Sequence, residues 1–244
     1  MIFILIHGSW HNGSAWYKVE HLLKQQGVTV YAPTLTGMES LQHPGGKDVS
    51  LTIHIQDIAR LIQENALENV ILVGHSYSGF VLTGVAERMP DKISKLIYID
   101  AFIPEDNQSL FDLMSQETIN GMRSSLVNAE GKEKQDGAEE VWLIPPGEPQ
   151  AYGVVASEDV NWLREHMVYT PVLTFEERVA VKNPAAQTIA RYFIRCTEFE
   201  FLAPYEQKAR QAGWPVFQIE SGHDAMIIKP EELTDILLQI AHLY

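Results

Sequence analysis

The sequence predicts an α/β fold: a mostly parallel six-stranded sheet with helices on both faces and an inserted helical cap. Three observations predict it. Short β-rich apolar runs alternate with segments of helical periodicity as far as Asp100, and strands alternating with helices of this length form parallel sheets covered on both sides. The alternation breaks between residues 104 and 187 and then resumes. At 244 residues the chain can build one α/β domain with a sizeable core, or two small ones.

The elements follow in order. "IFILIH" (2–7) is a short β-rich run and the first strand. "SAWYKVEHLLKQQG" (14–27) places Trp16, Val19, Leu22 and Leu23 on one helical stripe and ends at Gly27. "VTVYA" (28–32) is a second strand, stopped by Pro33. Residues 50–65 read as a helix with Ser50 as N-cap. "VILVG" (70–74) is the third strand, 76–89 a helix ahead of Pro90, and "KLIYID" (95–100) the fourth strand. Residues 104–187 hold the proline-rich "IPPGEP", the polar "NAEGKEKQDGAEE" and the helical-looking "VNWLREHM" and "TFEERVAV". This stretch reads as a cap inserted into a core of residues 1–103 and 188–244. The strand "RYFIRC" (191–196), the helix "PYEQKARQAG" (204–213), the strand "PVFQIE" (215–220) and a closing helix over 230–244 complete the pattern.

Composition excludes several classes. Hydrophobic residues make up 45% and charged residues 20%, ordinary for a globular protein. A net charge of −14 argues against nucleic acid, whose affinity rests on Lys and Arg neutralising phosphates, and against an anionic membrane surface. The one cysteine, Cys196, permits neither a disulfide within the chain nor a thiolate zinc site, and its place in a strand reads as inert core. His11 and His43 have no paired carboxylate or thiolate spacing beside them, so no metal is expected. "MIFILIHGSW" lacks a basic leader and its apolar run is short; nothing is long enough to span a membrane. A cytoplasmic protein, monomer or homodimer, is the expectation.

In open α/β sheets the site lies at the carboxyl ends of the strands, where strand order reverses. If the second strand lies outside the first, that point falls between strands one and three, whose exit loops are "HGSW" and "GHSYSG". Four features stand at carboxyl ends: His7-Gly8-Ser9 after strand one, Ser76 after strand three, Asp100 ending strand four, and His223 after the last strand. Nucleophile, acid and base come in the order Ser…Asp…His. A serine hydroxyl needs a neighbouring base to attack. His223 can take its proton, and a carboxylate must orient the imidazole. The backbone N–H groups of Ser9 and Tyr77 are the natural oxyanion donors.

The turn departs from G-x-S-x-G, since Ser78 stands where the second Gly is usual. Gly74 meets the need for a small residue, Ser78 is expected to fit, and Gly79 adds slack one position on. His7 reads as a structural histidine bridging the oxyanion loop, His75 as packing or orienting, and Asp224 as structural. Glu105 and Asp106 read as solvated charges. Trp10, Trp142, Trp162 and Met226 are candidate pocket walls, and the Tyr77 side chain is expected to face the substrate.

"FILIHGSWHNGSAWYKVEHLLKQQG", "VILVGHSYSGFVLTGVAERMP" and "GHDAMIIKPEEL" resemble the α/β-hydrolase superfamily, in particular the plant methylesterase and hydroxynitrile lyase group and its bacterial esterase relatives. The resemblance implies a cofactor-free serine enzyme acting on small esters or cyanohydrins under a helical cap. Two departures bear on the acid. Those plant enzymes carry it in a segment similar to "RCTEFEFLAP", where this chain has Phe199 flanked by Glu198 and Glu200. Haloalkane dehalogenases place theirs at the end of the fourth strand, where this chain has Asp100, 24 residues after Ser76. Asp100 is therefore the expected acid and Glu198 the runner-up. The lyases of the group tend to carry Thr after the strand-one His and Lys after the catalytic His; Gly8 and Asp224 stand here and disfavour that reading. The expected function is hydrolysis of a carboxylic ester of a small or medium apolar molecule. A lactone is the alternative substrate, and a ligand-binding protein of this fold with little turnover is the alternative of another class.

Overall fold

The computed structural model describes residues 1–42, 44–133 and 140–243; His43 and part of the polar "NAEGKEKQDGAEE" stretch lie outside them. The first half runs β1 (Ile2–Ile6), α1 (Tyr17–Gln25), β2 (Thr29–Tyr31), α2 (Leu51–Glu64), β3 (Val70–His75), α3 (Ser78–Arg88) and β4 (Ile93–Ile99). An excursion follows with α4 (Gln116–Ser124), β5 (Leu143–Ile144), α5 (Ser157–His166), β6 (Thr170–Pro171) and two single turns, α6 (Leu173–Glu176) and α7 (Pro184–Gln187). The chain then returns through β7 (Ala190–Cys196), α8 (Ala203–Gln211), β8 (Val216–Ile219), the turn α9 (Ala225–Ile228) and α10 (Pro230–His242).

Six strands form one parallel sheet in the order β2-β1-β3-β4-β7-β8, so strand order reverses between β1 and β3. Strand side chains alternate between two core layers, as a period of two requires. Ile4, Ile6, Val70, Leu72, Leu96 and Tyr98 face one layer, closed by α2 and α3. Phe3, Leu5, Ile71, Val73, Ile97 and Ile99 face the other, closed by α1 and α10. Each large apolar side chain buried this way contributes roughly 1.5–3 kcal/mol. Burial on both faces is why these runs are nearly uninterrupted in hydrophobicity.

The excursion is less regular. β5 and β6 pair antiparallel, and "VNWLREHM" lies largely in α5. "TFEERVAV" is helical only through Glu176, after which Val179 bridges Gln108 in extended form. The reason is a capping contact. The Glu177 carboxylate accepts from the Thr52 N–H at 2.7 Å and hydroxyl at 2.6 Å, at the start of α2. Ser50 occupies the N-cap position of α2 but its side chain makes no cap bond. Helix α4 has no fully buried residue and starts at Ser115, whose hydroxyl accepts from the Thr118 N–H. Among the described residues no helix is long and apolar enough to cross a membrane.

Candidate active site

Ser76 joins β3 to α3 with φ +57°, a left-handed conformation that costs a residue bearing a Cβ about 1–3 kcal/mol. Neighbouring backbone holds it there. The Ser76 N–H donates to Ile99 O, and Ser76 O accepts from the Phe102 and Gly79 N–H groups, each at 3.2 Å. The small residues have distinct reasons. A Cβ on Gly74 would stand 2.2 Å from Leu82 Cδ2, and one on Gly79 would stand 1.9 Å from Phe102 O. Gly79 is thus required by close approach rather than supplying slack. Ser78 is fully buried, and its hydroxyl donates to the His7 carbonyl.

The histidine and its carboxylate lie 123 positions apart in the chain. His223 Nδ1 lies 2.7 Å from Asp100 Oδ2. A carboxylate accepts only, so Nδ1 carries a proton, which in the neutral imidazole leaves Nε2 as the acceptor. Asp100 is fully buried with φ +39°, and its Oδ1 accepts from Arg195 Nη1 at 3.0 Å. Arg195 is itself buried between Asp100 and Glu206. Glu198 is exposed, while its neighbour Phe199 stacks on the His223 ring at 4.5 Å. The carboxylate against His223 is Asp100, not Glu198.

The loop after β1 presses on the serine turn. A Cβ on Gly8 would lie 2.8 Å from His75 Nδ1 and 3.0 Å from Ser76 Cβ. The Ser9 and Tyr77 N–H groups have no partner among the described residues. The Trp10 N–H donates to Thr170 Oγ1 at 2.8 Å, with Trp10 at φ +62°. His7 Nδ1 donates to the Gly8 carbonyl at 2.9 Å, and its Nε2 accepts from the Leu35 N–H at 3.1 Å. It is neutral: burial, with smaller contributions from neighbouring histidines, outweighs the Gly8 bond and brings its pKa down to about 3.

Ser9, Ser76 and His223 line one cavity of about 190 Å³. Its walls are apolar, among them Trp10, Phe102, Met114, Met122, Tyr152 and Phe199, and among the described residues no Asp, Glu, Lys or Arg lines it. Trp10 is where the sequence placed it. The other three candidates are not. Trp142 donates its indole N–H to Gly45 O at 2.9 Å, Trp162 stacks on Tyr17 and His166, and Met226 is fully buried in the core layer. The Tyr77 side chain also misses the cavity. It is fully buried, stacks on Phe175, and its hydroxyl meets His54 Nδ1 at 3.0 Å; a buried phenol needs such a partner. Most of the other wall residues were missed, among them Phe102, Tyr152, Met114, Thr118 and Met122; the spacing of four between Thr118 and Met122, both on α4, is a signal that could have found that pair.

Burial pushes the Cys196 thiol up, and its sulfur sits behind the histidine loop, 3.7 Å from His223 O. His75, His223 and Asp224 bring ligand atoms within 4.8 Å of one another, as a metal site would. One atom of each is engaged: His223 Nδ1 with Asp100, His75 Nε2 with the His223 carbonyl at 3.0 Å, and Asp224 Oδ2 with His11 at 3.2 Å. His75 Nδ1 and Asp224 Oδ1 have no hydrogen-bond partner among the described residues.

A doubly wound sheet with a serine on its strained central turn and a buried histidine–carboxylate pair beside it is the architecture of the serine α/β hydrolases. The chain belongs to the alpha/beta hydrolase family, whose profile matches residues 3–236. It is 32% identical over 242 residues to the carbendazim hydrolyzing esterase of Nocardioides sp. (strain SG-4G), covering 96% of this chain and 97% of that one. It is 25% identical to methylesterase 3 of Arabidopsis thaliana, covering 99% of this chain and 96% of the relative. Its fold superposes on an extracellular α/β-hydrolase from a Paenibacillus species with a TM-score of 0.79 at 20% identity, over 98% of both chains.

Proposed function

We propose that the protein is a serine-dependent carboxylic ester hydrolase for small or medium uncharged apolar esters. The observation that carries this is the buried Asp100–His223 pair opening, with Ser76, onto one apolar cavity. His223 Nε2 takes the proton from Ser76 Oγ as the oxygen attacks the ester carbonyl. The tetrahedral oxyanion accepts from the Ser9 and Tyr77 N–H groups. Collapse expels the alcohol, which takes the proton from His223. Water, deprotonated by His223, then attacks the acyl-enzyme and releases the acid and Ser76. Asp100 keeps the imidazole tautomer and orientation throughout.

The excursion over residues 104–187 acts as the cap in this reading, since Met114 and Met122 form part of the cavity wall. A charged substrate would be stripped of water against these walls with no counter-charge, so uncharged esters are favoured. The named esterase and methylesterase relatives support ester chemistry. Cyanohydrin lysis fits less well, because a Thr at Gly8 would collide with His75.

The test is hydrolysis of p-nitrophenyl acetate by the native protein and by Ser76→Ala. Activity should vanish to background in the variant. Retained activity would overturn the mechanism.

A further inference from the structure

His223 and Asp224 are adjacent in the chain but belong to two different histidine–carboxylate pairs. His223 pairs with Asp100; Asp224 pairs with His11, 213 positions away. The second pair is sealed, with His11 at 3% exposure and Asp224 at 0%, and the hydrolytic steps above do not use it.

Hydrogen-bond acceptors define the state of each buried histidine, because a carbonyl or carboxylate oxygen can only accept. His7 faces one acceptor and one donor, so it is neutral. His54 donates to Thr36 O and accepts from the Tyr77 hydroxyl; burial, the largest effect, brings it down to about 4. His75 donates to His223 O through Nε2, and its Nδ1 has no hydrogen-bond partner among the described residues. His11 differs. Its Nδ1 lies 2.8 Å from Ser9 O and its Nε2 3.2 Å from Asp224 Oδ2. Both neighbours are acceptors, so both nitrogens must carry protons, and His11 is an imidazolium.

That cation grips the oxyanion loop. The Ser9–Trp10 peptide is held at its carbonyl by His11 and at its N–H by Thr170. The Gly8–Ser9 peptide is held at its carbonyl by His7, leaving the Ser9 N–H as the unpartnered end. We propose that His11, kept as an imidazolium by Asp224, is a positioning residue that locks the Ser9 peptides so that the Ser9 N–H faces the developing oxyanion. The proposal rests on the ester-hydrolase reading for its kinetic consequence, though not for the charge state of His11.

The surroundings agree. Burial pushes His11 down, but the charge and hydrogen bond of Asp224, with the Ser9 carbonyl, outweigh it and leave His11 above 6.5. Burial likewise pushes Asp224 up, and His11, with His75 and His223 nearby, brings it down to about 2. The other groups facing His11 are His75, at 6.0 Å between ring centroids, Tyr152, at 6.2 Å, and His7. With a raised pKa, the charged form persists to higher pH than in an ordinary histidine and is lost as pH rises through the folded value.

Two experiments test this. In the native protein at pH 7, ¹⁵N-histidine spectra should show both His11 ring nitrogens protonated; a neutral His11 would overturn the proposal, whatever any variant does. In Asp224→Asn, kcat should fall about 10–100-fold with KM within about threefold, somewhat less than outright loss of an oxyanion donor. The alkaline limb of kcat should move to lower pH. A His11→Gln/Asp224→Asn double variant should lose no more than the worse single one. Native kcat and pH profile in a folded Asp224→Asn, or a loss confined to KM, would overturn it. Loss of activity in Ser76→Ala beside native kcat in Asp224→Asn would sink this proposal alone and leave the hydrolase reading standing.

Discussion

The carboxyl edge of the sheet and the excursion over residues 104–187 meet at one cavity but are built differently. The edge residues Asp100, His223 and Tyr77 are buried and tied by short polar contacts, and Asp100 and the half-buried Ser76 are strained at positive φ. The excursion presents Met114, Thr118 and Met122, half-buried residues in or beside a helix with no buried position. Rigid polar geometry suits bond-making, which fails when a group moves by an ångström. Loosely held apolar side chains suit the choice of substrate. Chemistry and selectivity should therefore be separable by mutation.

The largest effect should come from the edge. Asp100→Asn should lower kcat by about 10⁴ by imposing the wrong His223 tautomer, while Glu198→Gln, exposed and away from His223, stays near native; kinetics on one ester compares them. The reverse ranking would break the account of the acid. Arg195→Met should come next. Leaving the buried Asp100 without its guanidinium should cost about 3–5 kcal/mol of stability, read by denaturant unfolding, with kcat reduced. Tyr77→Phe removes the hydroxyl from His54 and should cost about 1–2 kcal/mol. Because Tyr77 lies outside the cavity, acyl-chain preference should stay native. Smallest is Met122→Ala. It should change stability by less than about 1 kcal/mol but reduce the preference for long over short acyl chains by about tenfold, measured as a ratio of kcat/KM values. Unchanged ratios in Met122→Ala with altered ratios in Tyr77→Phe would invert the division.

The same division governs how much the sequence discloses. Strands such as "VILVG" are buried on both faces, so hydrophobicity alone marks them, and the loops leaving them inherit their position at the sheet edge. That is why Ser9, Ser76, Asp100 and His223 could be singled out. The excursion has no such repeat. "TFEERVAV" has helical spacing, but Glu177 is drawn to α2 and Val179 to Gln108, contacts that lie far apart in sequence. Trp142 and Met226 looked like pocket walls because aromatic and thioether side chains also pack elsewhere. The His11–Asp224 pair was not legible for a related reason: its partners are 213 residues apart, and Asp224 stands beside His223 without sharing its task.

The central claim is that Ser76 attacks the ester, and trapping the intermediate tests it most directly. Rapid mixing with p-nitrophenyl butyrate, quenched in acid and followed by peptide mass spectrometry, should find a butyryl group on the peptide carrying Ser76, appearing with a p-nitrophenol burst and absent from Ser76→Ala. Turnover with no acyl group on Ser76, or an acyl group on another residue that persists in Ser76→Ala, would contradict the account.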